Sequence, residues 1–105
     1  MEISVVICTY NRSKRLRNTL NSLFEQKVDN EIQWEIVVID NNSSDDTYDV
    51  VRNLNSKIPI TYAREEKQGL SHARNRGIRE AKGRHIAFID DDALADSNWI
   101  RALHE

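Results

Sequence analysis

The 105-residue sequence predicts an α/β fold, a mostly parallel sheet with helices on both faces. Four short β-rich runs alternate with stretches of helical apolar spacing, and such alternation gives parallel strands joined by right-handed crossover helices. The first two runs are nearly all apolar, as strands covered on both sides are. No repeat, low-complexity tract or linker divides the chain, and its length suits one domain with one modest core.

The first strand is expected over Ile3 to Cys8. Leu16, Leu20, Leu23 and Phe24 then recur at helical spacing over Lys14 to Gln26, a stripe that should pack on the sheet, with Asn11 or Ser13 available as cap. Trp34 to Ile39 forms the second strand. A second helix is expected from Asp45 or Asp46 to Asn55, with Tyr48, Val51 and Leu54 on its apolar face and acids where the helix dipole favours them. Ile58 to Ala63 gives a third strand, Leu70 to Lys82 a third helix stopped by Gly83, and His85 to Ile89 a fourth strand. A last helix starts near Asp96 or Ser97, with Trp99, Ile100 and Leu103 on one face, and the chain ends inside or just after it.

The composition is that of an ordinary globular domain, 39% hydrophobic and 30% charged, and the net charge of −2 gives no global reason to expect nucleic acid as a partner. Cys8 is the lone cysteine, which excludes an internal disulfide and a cysteine-based zinc cluster, and its apolar neighbours make it a small core residue. No apolar run approaches a membrane span, and no basic leader with a cleavage site precedes the first strand. The expectation is a cytoplasmic chain, with peripheral membrane attachment left open.

Chemistry is concentrated at the strand ends. Asp90, Asp91 and Asp92 follow the fourth strand, and Asp40 ends the second before the polar turn Asn41-Asn42-Ser43-Ser44. Two like charges about 4 Å apart repel by roughly 1 kcal/mol in bulk water and about 4 kcal/mol at an effective dielectric near 20, a cost that a divalent cation reverses. Oxygen-rich sites suit Mg²⁺ or Mn²⁺. Taken alone, the triplet could equally be a solvated strand end. In an open parallel sheet the ligand crevice lies beyond the C-terminal strand ends where the strand order reverses, which puts Thr9, Tyr10, Asp40 and the triplet on one rim. Arg64 to Arg84 carries seven Lys or Arg and three acids, a local basic excess suited to phosphate. Arg76, Arg79 and Lys82 read as a solvated helix face, and His72 and His85 as surface or packing residues. No GxGxxG fingerprint and no GxxxxGK[ST] phosphate loop is present. A phosphoacceptor receiver domain fits poorly, because its acid pair should follow strand one, where Thr9-Tyr10-Asn11 stands.

Four ordered segments, SVVICTYNR (Ser4 to Arg12), VVIDNNSSDDT (Val37 to Thr47), GLSHARNRGI (Gly69 to Ile78) and IAFIDDDA (Ile86 to Ala93), resemble the family 2 glycosyltransferases of the GT-A fold. The resemblance covers nearly the whole chain. It implies a Rossmann-like nucleotide-diphospho-sugar fold, with residues 1–105 as the donor-binding portion. Thr9 and Tyr10 then line the base pocket, Tyr10 stacking on the base, and Asp40 accepts a hydrogen bond from the nucleobase. Asp90 and Asp92 form the family's DxD element, Asp90 nearer the ribose and Asp92 holding Mn²⁺ or Mg²⁺. Asp91, pointing to the other side in extended backbone, binds the nucleotide or holds the loop. Arg74 contacts base or diphosphate, and Asn75 is either a site residue or structural.

The implied activity is inverting transfer of a sugar from a metal-bound nucleotide donor, UDP-sugars favoured, to a saccharide, lipid or protein acceptor. The family's acceptor half and its carboxylate base are expected beyond residue 105, so this portion should show little activity alone, and an uncovered apolar face would favour dimers. A nucleotide-binding module without catalysis is the alternative.

Overall fold

A computed structural model describes residues 1–104. Its strands are β1 (Ile3–Thr9), β2 (Trp34–Asp40), β3 (Ile60–Arg64) and β4 (His85–Phe88), all parallel, in the order β3-β2-β1-β4. The helices are α1 (Ser13–Phe24), α2 (Thr47–Arg52), α3 (Leu70–Glu80) and α4 (Trp99–His104). From β1 to β3 the chain steps outward in one direction, then returns across the sheet to lay β4 on the other side of β1. Right-handed crossovers therefore require α1 and α2 on one face and α3 on the opposite face.

The two cores follow from strand alternation. Ile3, Val5 and Ile7 of β1 and Ile36 and Val38 of β2 pack with Leu16, Leu20 and Leu23 of α1, Val51 of α2 and Ile100 of α4. Val6, Val37 and Ile39 point the other way and meet Ala73 of α3. Helix α3 approaches the sheet closely because Gly77 has no side chain: a Cβ there would lie 2.5 Å from Val6 Cγ1.

Several boundaries differ from the expected ones for local reasons. Helix α1 is capped neither by Asn11 nor by Ser13. Its N-cap position is Arg12, without a side-chain bond, and the Ser13 N–H donates instead to Asp45 Oδ2, 3.2 Å away in the β2–α2 loop. Helix α2 is shorter than expected and buries Thr47, Val50 and Val51. Tyr48 is half exposed, meeting the Tyr62 ring edge-on at 5.0 Å. Strand β3 starts at Ile60, after Pro59, whose carbonyl accepts the Ile36 N–H. Helix α3 ends at Glu80 with Ala81 already extended, so Gly83 is not its stop. In α4, Ile100 is buried and Leu103 is exposed. Strand β4 is an edge, and its Ile86 and Phe88 stay partly open to solvent, as does Ile78 of α3. No helix among the described residues is long and apolar enough to cross a membrane.

Candidate functional site

The strand order reverses between β1 and β4, and a cavity of about 510 Å³ opens beyond their C-terminal ends. Cys8, Thr9, Tyr10 and Arg12 line it from β1 and the following turn, and Asp90, Asp91 and Asp92 from the end of β4. Asn41, Gln68, Gly69, Leu70 and Ala73 close the third side.

Strand β4 ends at Phe88, and the acidic triplet lies in the turn that follows, closed by the Ala93 N–H donating to the Asp90 carbonyl at 3.2 Å, with Asp91 buried and Asp90 and Asp92 exposed. Asp91 is 7% exposed and accepts the Thr9 hydroxyl at 2.9 Å and Arg12 Nη1 at 3.3 Å. Thr19 of α1 donates its hydroxyl to the Asp91 and Ala93 carbonyls at 3.0 and 2.6 Å. These bonds fasten the loop after β4 to β1 and α1. Asp90 and Asp92 are exposed on the cavity wall, with Asp92 Oδ2 3.7 Å from Arg12 Nη1 and 4.0 Å from Arg15 Nη1.

The opposite wall is set by Asn41. Its amide donates to the carbonyls of Glu65 and Lys67 at 3.1 and 2.8 Å, and its Oδ1 accepts the Gly69 N–H at 2.9 Å. Gly69, at φ 137°, allows the turn that starts α3 beside the cavity. Asn11 (φ 51°) joins the first two turns, its N–H donating to Ser43 Oγ and its Oδ1 accepting the Ser44 N–H.

Thr9, Tyr10, Asp90, Asp91 and Asp92 thus meet at one cavity. Asp40 does not join them. It is 1% exposed on the α1 and α2 face of the sheet, where its carboxylate accepts the Ser43 N–H at 2.9 Å and the Tyr62 hydroxyl and lies 3.6 Å from Arg64 Nη1. These partners of Asp40 are all internal, and the next residue, Asn41, lines the cavity. Burial, helped by the hydrogen bond to Asp40, pushes the Tyr62 phenol up to about 12. Arg74 is not on the wall either. It is exposed on α3, its guanidinium 5.4 Å from the Phe88 ring centroid, with its positive charge felt at Cys8. Arg76 and Arg79 pair with Glu65 and Arg76 also with Glu80, as a salt-bridged helix face.

Sequence reasoning missed Arg12, Asn41 and Cys8. Arg12 stood inside a matched segment and Asn41 directly after Asp40, so position alone could have raised both. Cys8 is half-buried rather than fully enclosed and borders the cavity. Burial raises its thiol to about 11, with Arg74 pulling down and Asp91 pushing up.

The exposed oxygens of Asp90 and Asp92 fit a hard divalent cation. Among the described residues no three His, Cys, Asp or Glu side chains gather as a closed cage. A Mg²⁺-type site uses one or two carboxylates and is completed by water and substrate phosphates.

Residues 4–105 match the family model described as Glycosyl transferase family 2. The chain is 41% identical over 109 aligned positions to a dolichol-phosphate mannosyltransferase of Pyrococcus furiosus, covering 100% of this chain and 30% of that protein. It superposes on S. aureus TarS in complex with UDP with a TM-score of 0.90 at 28% identity, over 99% of this chain and 31% of the other. The mannosyltransferase PcManGT of Pyrobaculum calidifontis, in complex with GDP-Man and Mn²⁺, gives 0.84 at 28% identity, over 92% of this chain and 29% of the other. The chain therefore spans about a third or less of each of these relatives.

Proposed function

The chain belongs to glycosyl transferase family 2, and from that membership and the cavity geometry we propose that it is the donor-binding portion of an inverting glycosyltransferase. The observation that carries the reading is the convergence of Tyr10, Asp90 and Asp92 on one cavity at the β1/β4 switch point. The complexes of TarS with UDP and of PcManGT with GDP-Man and Mn²⁺ support a nucleotide-sugar ligand and a divalent cation.

Tyr10, 49% exposed, offers its ring to the nucleobase. Asn41 fixes the loop that forms the opposite wall, and Arg74 swings from Phe88 to the diphosphate, where its planar guanidinium makes paired hydrogen bonds to oxyanions. Asp90 holds the ribose side of the ligand and shares with Asp92 the binding of Mn²⁺ or Mg²⁺. When bound, the cation stabilises negative charge on the departing diphosphate as a Lewis acid. In the complete reaction an acceptor hydroxyl oxygen forms a bond to the anomeric carbon as the bond to the diphosphate oxygen breaks, and the hydroxyl proton passes to a carboxylate outside these residues. Asp40, whose carboxylate also accepts the Ser43 N–H, is the proposed hydrogen-bond acceptor for the nucleobase.

Calorimetric titration with UDP and with GDP, in Mn²⁺ and then in excess chelator, tests the reading. Metal-dependent, base-selective binding with UDP preferred is the expected result. Absence of binding to either nucleotide by folded protein would refute a preformed donor site.

A further inference from the structure

Arg12 stands at the head of α1, half exposed, yet its guanidinium is turned onto the acidic loop rather than into open solvent. Its Nη1 lies 3.3 Å from Asp91 Oδ1 and 3.7 Å from Asp92 Oδ2, and Arg15 brings a second positive charge to 4.0 Å from the same Asp92 oxygen. A cation approaching Asp92 therefore meets a side chain already filling its electrostatic place.

Building on the donor-site reading, we infer that Arg12 is the resident counter-ion of Asp91 and Asp92, competing with a divalent cation for Asp92 and making metal capture conditional on an anionic nucleotide. A metal ion arriving alone must sit beside the guanidinium or displace it, and either costs Coulomb energy. A nucleoside diphosphate changes the balance, because its oxyanions offer Arg12 a second planar, bidentate partner across the cavity it lines. Asp91 need not move when Arg12 turns, since Thr9 still donates to its other oxygen. The pair thus separates two tasks: Asp91 keeps the loop in place while Arg12 exchanges Asp92 for phosphate. Arg15 is the weaker competitor, because it is more exposed than Arg12 and reaches only Asp92.

The test is titration of the chain with Mn²⁺ alone at low salt, followed by the electron paramagnetic resonance signal of free Mn²⁺, and repeated with saturating UDP. Arg12→Gln should bind Mn²⁺ alone roughly five- to thirty-fold more tightly than the parent, the size expected when a unit charge about 4 Å from a divalent ion is removed in water-like dielectric. Arg12→Lys should behave like the parent, and adding Asp92→Asn to Arg12→Gln should remove the gain. UDP should improve Mn²⁺ binding more in the parent than in Arg12→Gln. Equal Mn²⁺ affinity of Arg12→Gln and parent, or a gain that survives Asp92→Asn, overturns the assignment. If the gain appears while UDP fails to bind the parent, the counter-ion role stands and the donor reading falls. Cooperative UDP and Mn²⁺ binding with no gain in Arg12→Gln has the opposite meaning.

Discussion

The Thr9 hydroxyl donates to Asp91 Oδ2 at 2.9 Å, joining the last residue of β1 to the acidic loop after β4 across 82 residues of sequence. Both groups are buried, Thr9 at 2% and Asp91 at 7% exposure. The bond fixes the direction in which the two neighbouring aspartates leave the sheet.

Thr9→Val removes that donor with little change of shape and leaves a buried carboxylate oxygen short of a partner, a loss of about 1–3 kcal/mol. Thermal unfolding should show a lower Tm. Metal-dependent nucleotide affinity should fall with it, because the positions of Asp90 and Asp92 are no longer fixed. An unchanged Tm with unchanged affinity would remove Asp91 from its positioning role.

Cys8 borders the cavity with its thiol raised to about 11, burial being the largest cause. The thiolate is the reactive form, so alkylation by iodoacetamide should be slow at pH 7 and accelerate as pH climbs toward 11. Bound nucleotide should slow it further. Rapid modification at neutral pH, insensitive to UDP, would contradict the described environment.

Asp45 is the N-cap residue of neither α1 nor α2, yet it accepts the first backbone N–H of both, Ser13 at 3.2 Å and Thr47 at 3.0 Å, with the Thr47 hydroxyl as a further donor. Burial works to raise its pKa, but the hydrogen bonds from Thr47 and Ser13 outweigh it and hold the carboxyl below its ordinary value of 3.8. A carboxylate lowered on folding stabilises the native state above its unfolded pKa, and that share is lost as pH falls through the folded value. Asp45→Ala should cost about 1 kcal/mol near neutrality, the net worth of a lost intramolecular hydrogen bond. The difference between variant and parent, followed by urea unfolding, should shrink as pH drops below about 4. A difference independent of pH would assign the loss to something other than the charged acceptor.

The fold was legible because hydrophobic periodicity and strand-end aspartates were consistent along the chain. All eight elements lie where the apolar pattern puts them, and the switch point follows from strand order. The burial of Asp91 was expected from strand alternation, but β4 ends at Phe88 and Asp91 lies in a turn, held inward by Thr9 and Arg12 rather than by the pleat of a strand. Sequence marks Asp40 as the end of β2 but not the partners its side chain finds: Tyr62 and Arg64, distant in sequence, reach its carboxylate, and Asp40 is not among the residues that line the cavity. The partner of the first N–H of α1 was missed for a related reason, since Asp45 lies 32 residues from Ser13. The apolar face of α2 was offset by one residue because Tyr48 can cover Tyr62 while remaining half exposed. The cavity role of Arg12 depends on its reach to Asp91 and Asp92, a long-range contact without any local pattern.

The most direct measurement of the central claim is calorimetric titration of Asp92→Ala with UDP, with and without Mn²⁺, beside the parent. Asp92 is exposed and its charge pairs are surface ones, so the fold should survive the change. The parent should gain nucleotide affinity from Mn²⁺ and the variant should not, with both folded. Equal metal-dependent binding by the variant and the parent would contradict the assignment of Asp92 and with it the metal-assisted donor site.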